Sequence, residues 1–348
     1  MSKKIFLVQT VKELKFILNN TKEDLECVPL NLKVLLYCQI NKIGYLNPIS
    51  FLDNNFHKKS LEISEDFLNS VSFQKQYDYN IQIEYSGWLR FRLNSILFVV
   101  SVLEEIHKKH KIDKIYLSGW SHKNHNDLEG YFLIEMEELI RAKFNLRIIS
   151  KNFINDKDLK YCAYSIKNIK SKKNKNILLN NLSYNFKRFI LNKNRKNYNF
   201  FLINDREISI LKKIIFYLFN VKPLKLEVKN FKKGSTPIEY RIKNKEKFFF
   251  YNTIINMMKN FDVYFHNLKE KNLAIKDFLK NNKIDLIVSN IVRGFEGSAI
   301  EIGSKLNIQT VCVTHGTIAP DFNKYDKIYK KIIAEAVFSG GSQNFAIQ

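Results

Sequence analysis

Three short stretches hold the side chains that could do chemistry. His315-Gly316-Thr317 follows the apolar run at residues 309–314. An imidazole at the end of a strand titrates near neutrality, so it can move a proton or hydrogen-bond a polar ligand, and the following glycine lets backbone approach that ligand closely. The second stretch, Arg293-Gly294-Phe295-Glu296-Gly297-Ser298, follows another apolar run at 283–289. Ser298 and Glu301 have capping-box spacing, which predicts a helix that starts at Ser298 and aims its backbone N–H groups and dipole at an anion or a hydroxyl. Arg293 would assist a phosphate there and Glu296 would oppose one; the bland alternative is a turn shaped by two glycines. The third stretch, Ser118-Gly119-Trp120-Ser121-His122, has His125, Asp127 and Glu129 close behind. Trp120 offers a stacking face and His122 a polar wall for a substrate, an exposed loop being the alternative. His107/His110 and His122/His125 each have H-x-x-H spacing, but the first pair lies in a lysine-rich helix end, so no metal is expected. G-x-G-x-x-G, Walker A and G-x-S-x-G patterns are all lacking, and no cofactor is implied.

The elements that must position these stretches are read from apolar periodicity. Residues 4–8 read as a strand, 11–19 as a helix, 33–38 as a second strand and 88–109 as a long buried helix. A strand at 112–117, an apolar helix through Arg141 and a strand at 146–150 follow. The same grammar recurs late in the chain: a helix ending at 281–282, a strand at 283–289, a helix to about Leu306 and a strand at 309–314, with another strand at 198–203. Two βαβ units argue for an α/β, Rossmann-like, mostly parallel sheet with flanking helices. In such sheets ligands bind beyond the carboxyl ends of the strands, which gives the three stretches their priority. The expected organisation is a Rossmann-like part at 1–150, a basic helical or linker segment at 151–197, a second part of the same α/β domain at 198–320, and the start of an interdomain connection at 321–348.

The chain of 348 residues is 45% hydrophobic with only 11 Gly and 5 Pro, which excludes disordered and collagen-like structure. Its four cysteines form no CxxC pair, which points to a reducing compartment. The formal charge of +23 is uneven: residues 151–197 carry 13 Lys/Arg against 2 Asp/Glu, whereas residues 1–150 carry 20 against 18. The basic segment reads as a solvated lysine face, or as a patch drawn to anionic lipid through Phe186, Phe189, Ile190 and Leu191 among its basic residues. Nucleic acid is the least favoured partner, since no recognition motif accompanies the charge.

The segment 308–317, with 332–339 and 345–348 after it, resembles bacterial surface-polysaccharide glycosyltransferases of the GT-B type. The resemblance implies the N-terminal half of that fold, with His315, Gly316 and Thr317 in a cleft between domains. It makes Glu296 a candidate group on the acceptor side; taken with the reading of the three stretches, His315 and Glu296 are the expected catalytic residues, and Arg293, Ser298, Gly316, Thr317, Trp120 and His122 the substrate-binding ones. The implied activity moves a sugar from a nucleotide-sugar to a carbohydrate or lipid-linked acceptor. The donor would be held mainly by a C-terminal domain expected beyond Gln348, making the chain incomplete. A cytoplasmic protein, peripheral at the inner membrane face, is the expected location. Two other readings stay open: a non-catalytic module binding membrane or nucleic acid, and a nucleotide-sugar epimerase of the same fold.

Overall fold

The computed structural model describes residues 3–21, 23–74, 77–119, 131–152, 161–169, 174–179, 197–204, 210–219, 221–232, 238–289, 294–314, 336–339 and 345–347. The chain divides into two compact units: Met1–Gln74, Ser86–Leu159 and Glu239–Asp262 form the first, and Lys75–Tyr85, Lys160–Ile238 and Val263–Gln348 the second.

The first unit starts with β1 (Lys3–Val8), α1 (Val11–Asn20), β2 (Glu26–Pro29), α2 (Leu32–Ile40), α3 (Phe56–Ser70) and β3 (Val71–Phe73). The long helix α4 (Tyr79–His110) contributes residues to both units, and β4 (Ile112–Gly119), α5 (Glu137–Phe144) and β5 (Arg147–Asn152) follow it. Its main sheet has the order β2-β1-β4-β5 and is parallel throughout. Over Asn80–His110, α4 is long and apolar enough to cross a membrane by length and composition. Its apolar side chains Leu89, Leu93, Ile96, Val99 and Leu103 are nevertheless packed in the core. His107 is taken up at its end, where Nδ1 accepts the Ile112 N–H at 3.2 Å and so ties the helix to β4.

The expected strand at 33–38 is helical. Asn31 caps α2 by accepting the Lys33 N–H at 2.8 Å, and Val34 and Cys38, four residues apart, are its buried contacts. A short apolar run fits either element, and here the strand lies just before it, in β2. The Cys38 and Cys27 thiols meet in the core with their sulfurs 3.8 Å apart, and burial pushes both pKa values up.

The second unit carries β6 (Tyr161–Ile166), β7 (Lys175–Leu179), β8 (Tyr198–Asn204), α6 (Ile210–Leu218) and β9 (Val221–Lys232). After β10 (Tyr240–Ile242), which pairs with β3 in the first unit, α7 (Tyr251–Asn281) contributes residues to both units. Then come β11 (Leu286–Ser289), α8 (Gly294–Lys305), β12 (Gln309–Thr314), β13 (Ala336–Ser339) and β14 (Phe345–Ile347). The sheet order is β14-β13-β12-β11-β7-β8-β9-β6, parallel from β13 to β9 and antiparallel at each edge pair.

This corrects the expected organisation. Residues 151–197 supply two strands of the second sheet rather than a linker, and 321–348 supply two more rather than an interdomain connection. The physical reason is visible in β7: Leu178 packs on one face with Phe278 and Ile287, while Ile177 and Leu179 pack on the other with Phe200 and Phe216. A strand buried on both faces reads as a continuous apolar run, and such a run survives inside a lysine-rich segment. The molecule is thus a mixed α/β protein with mostly parallel sheets and flanking helices, an arrangement compatible with a Rossmann-like fold.

Candidate functional site

Each sheet has a point where the connections leave in opposite directions. In the first unit β1 leads to β2 on one side and β4 leads to β5 on the other, so the switch lies beyond Val8 and Gly119. In the second, β7 leads to β8 and β11 leads through α8 to β12, so the switch lies beyond Leu179 and Ser289. Open α/β sheets take their ligands at such points.

At the second switch the chain enters α8 through Gly294, whose φ of 59° is a left-handed conformation that glycine adopts at no steric cost. The helix therefore starts four residues before Ser298, and the expected capping box does not form. Ser298 is fully buried inside the helix, where it donates to Asn272 Oδ1 and accepts from Asn80 Nδ2 at 2.8 Å. The other Asn80 amide hydrogen reaches the Gly294 carbonyl at 2.8 Å, and the Asn80 backbone N–H reaches Glu301 Oε2 at 2.8 Å. Asn272 Nδ2 in turn donates to Asp78 Oδ2 and Asn80 Oδ1, each at 3.2 Å. Asn80, Asn272, Ser298 and Glu301 are all buried. Buried polar groups persist when every partner is supplied, and this set supplies them from three helices. Its mechanical effect is to clamp the first turns of α8 to α4 and α7.

Lys305 closes the network at its outer edge, 2.7 Å from Glu301 Oε1 and 3.2 Å from Asp78 Oδ1. Burial opposes its charge, but the two carboxylates outweigh that and hold its pKa above the ordinary lysine value. Close packing fixes the other end of α8: a Cβ at Gly303 would collide with Ile287 Cδ1 on β11.

The first switch is built from the same spacing with a different result. Thr10 caps α1 by accepting the Glu13 N–H at 3.2 Å, and the Glu13 carboxylate accepts the Gln9 and Thr10 N–H groups, both at 2.9 Å. Gln9 is buried and accepts the Tyr131 N–H through Oε1 at 2.8 Å. The anion position at this helix start is thus filled by the chain's own carboxylate. At α8 the matching carboxylate and hydroxyl are held below the rim instead.

Of the residues expected to form the site, Ser298 is used inside the fold and does not face a substrate. Glu296 lies in the first turn of α8. Arg293, His315, Gly316, Thr317, Trp120 and His122 lie outside the described residues, as do His125, Asp127 and Glu129; the described strands that lead to them, β11, β12 and β4, are parallel. Sequence reasoning missed Asn80 and Asn272, which are 192 residues apart and carry no local signal. It also missed Glu13, although Thr10-x-x-Glu13 is a legible capping box. The first unit also has an open groove of about 560 Å³ between α3 and the second half of α4, lined by Phe51, Asp53, Phe56, Ser60, Glu104 and Lys109. It contains none of the residues named for the two switch points. Comparison with protein-family models, with curated proteins and with solved structures returns no match for the chain.

Proposed function

We propose that the chain is a GT-B-like glycosyltransferase of surface polysaccharide biosynthesis, moving a sugar from a nucleotide-sugar to a carbohydrate or lipid-linked acceptor. The observation that carries this reading is the start of α8 at Gly294, beyond the switch point of the second sheet, with Ser298 and Glu301 held by Asn80 and Asn272 inside the fold rather than joined in a capping box. In this reading the diphosphate of the donor meets the first turn of α8 and Arg293. An inverting step needs a base, which we assign to His315, with Glu296 as the other residue able to serve. The base takes the acceptor hydroxyl proton while that oxygen bonds to the anomeric carbon and the nucleoside diphosphate leaves with the electron pair of the broken C–O bond. A lipid-linked acceptor fits attachment to the inner membrane face through the basic segment at 151–197.

The test is product analysis with a panel of nucleotide-sugars, with and without lipid-linked acceptors. Transfer that falls by about a hundredfold in His315→Ala, within the range of a lost general base, supports the reading. Unchanged turnover removes His315 from the mechanism, and a sugar altered without any acceptor replaces transfer with epimerisation.

A further inference from the structure

Helix α6 turns most of its apolar surface outward. Phe216 reaches the core, packing with Ile177, Phe200 and Val221, and Ile215 is half-buried. Ile210, Leu211, Ile214, Tyr217 and Leu218 are exposed, Tyr217 at 86% and Ile210 at 78%. At about 100° per residue these five fall on one arc of roughly 120°. Single exposed apolar residues are ordinary, whereas a contiguous face of five large ones marks an interaction surface.

The charge beside this face identifies its occupant. Lys213 is exposed at the edge of the arc. On β9, alternation from Val221 places Pro223 and Lys225, both exposed, on the sheet face that α6 covers. Residues 151–232, which include α6, hold 20 Lys/Arg against 5 Asp/Glu, so they account for +15 of the chain's +23. A second copy seated here by a two-fold axis would bring lysine against lysine. An anionic bilayer surface matches both halves of the pattern, taking apolar side chains below its headgroups and lysines among them.

We infer that α6 is a membrane-insertion helix: its exposed face enters the headgroup–acyl boundary of an anionic bilayer, with Lys213 and Lys225 on lipid phosphates. The inference rests on the membrane-attachment part of the proposed function and is independent of its catalytic part, because binding is read with neither donor nor acceptor present.

The experiment is flotation of the full chain with vesicles of phosphatidylcholine, with and without phosphatidylglycerol, at low and high salt. The expected result is binding to the anionic vesicles that exceeds binding to neutral ones, and that falls about tenfold in Leu211→Asp/Ile214→Asp while circular dichroism stays unchanged. Ile210→Ser, at a more exposed position, gives a smaller loss and serves if the double variant misfolds. Anionic-vesicle binding that ignores all three substitutions would overturn the inference by leaving charge alone responsible. So would binding to DNA but not to vesicles, or a soluble dimer that the same substitutions convert to monomer.

Discussion

The two switch points use one sequence phrase, a hydroxyl residue followed three positions later by glutamate, and fold it in opposite ways. Thr10 and Glu13 close on the start of α1 as a reciprocal cap. Ser298 and Glu301 are carried inside α8, because Asn80 and Asn272 offer them buried partners and because Gly294 lets the helix start earlier. Local spacing sets what a segment can do; a long-range polar clamp decides what it does. The consequence is electrostatic as well as structural. The first helix start is met by its own carboxylate, whereas at α8 the Glu301 carboxylate goes to the Asn80 N–H and the Ser298 hydroxyl to Asn272.

Breaking the clamp should have the largest effect on this contrast. Asn80→Ala leaves the Gly294 carbonyl, Ser298 and Asn272 short of partners in a buried site, and a loss of about 3 kcal/mol is expected in urea unfolding, at the upper end of the cost of orphaned buried polar groups. Thr10→Ala removes one cap bond at the edge of the first unit, and the expected loss is about 1 kcal/mol by the same measurement. Equal losses at the two sites would mean that the clamp is no more than another cap.

Much of the fold was legible where apolar periodicity is strong: β1, α1, β4, β5, β11, α8 and β12 all lie where the sequence pattern puts them, within a few residues, and α4 ends there but starts nine residues earlier, at Tyr79. The misreadings have specific causes. Leu32–Ile40 is a short apolar run with no charge until Lys42 except Lys33, and only its cap at Asn31 separates helix from strand. The strand β7 was hidden because the lysines around Ile177, Leu178 and Leu179 set the reading of the whole segment as basic and irregular. Of the candidate site, the strand ends were legible and the clamp was not, since Asn80 meets Ser298 across 218 residues and no spacing rule reaches that far.

In the proposed function the α8 rim, and not the α1 rim, receives the donor's phosphates. Calorimetric titration of the full chain with nucleoside diphosphates measures it directly. The account predicts binding that weakens at least about tenfold in Arg293→Ala, the cost of one charge-assisted contact, and is unchanged in Thr10→Ala. Binding that is lost in Thr10→Ala and retained in Arg293→Ala would contradict it.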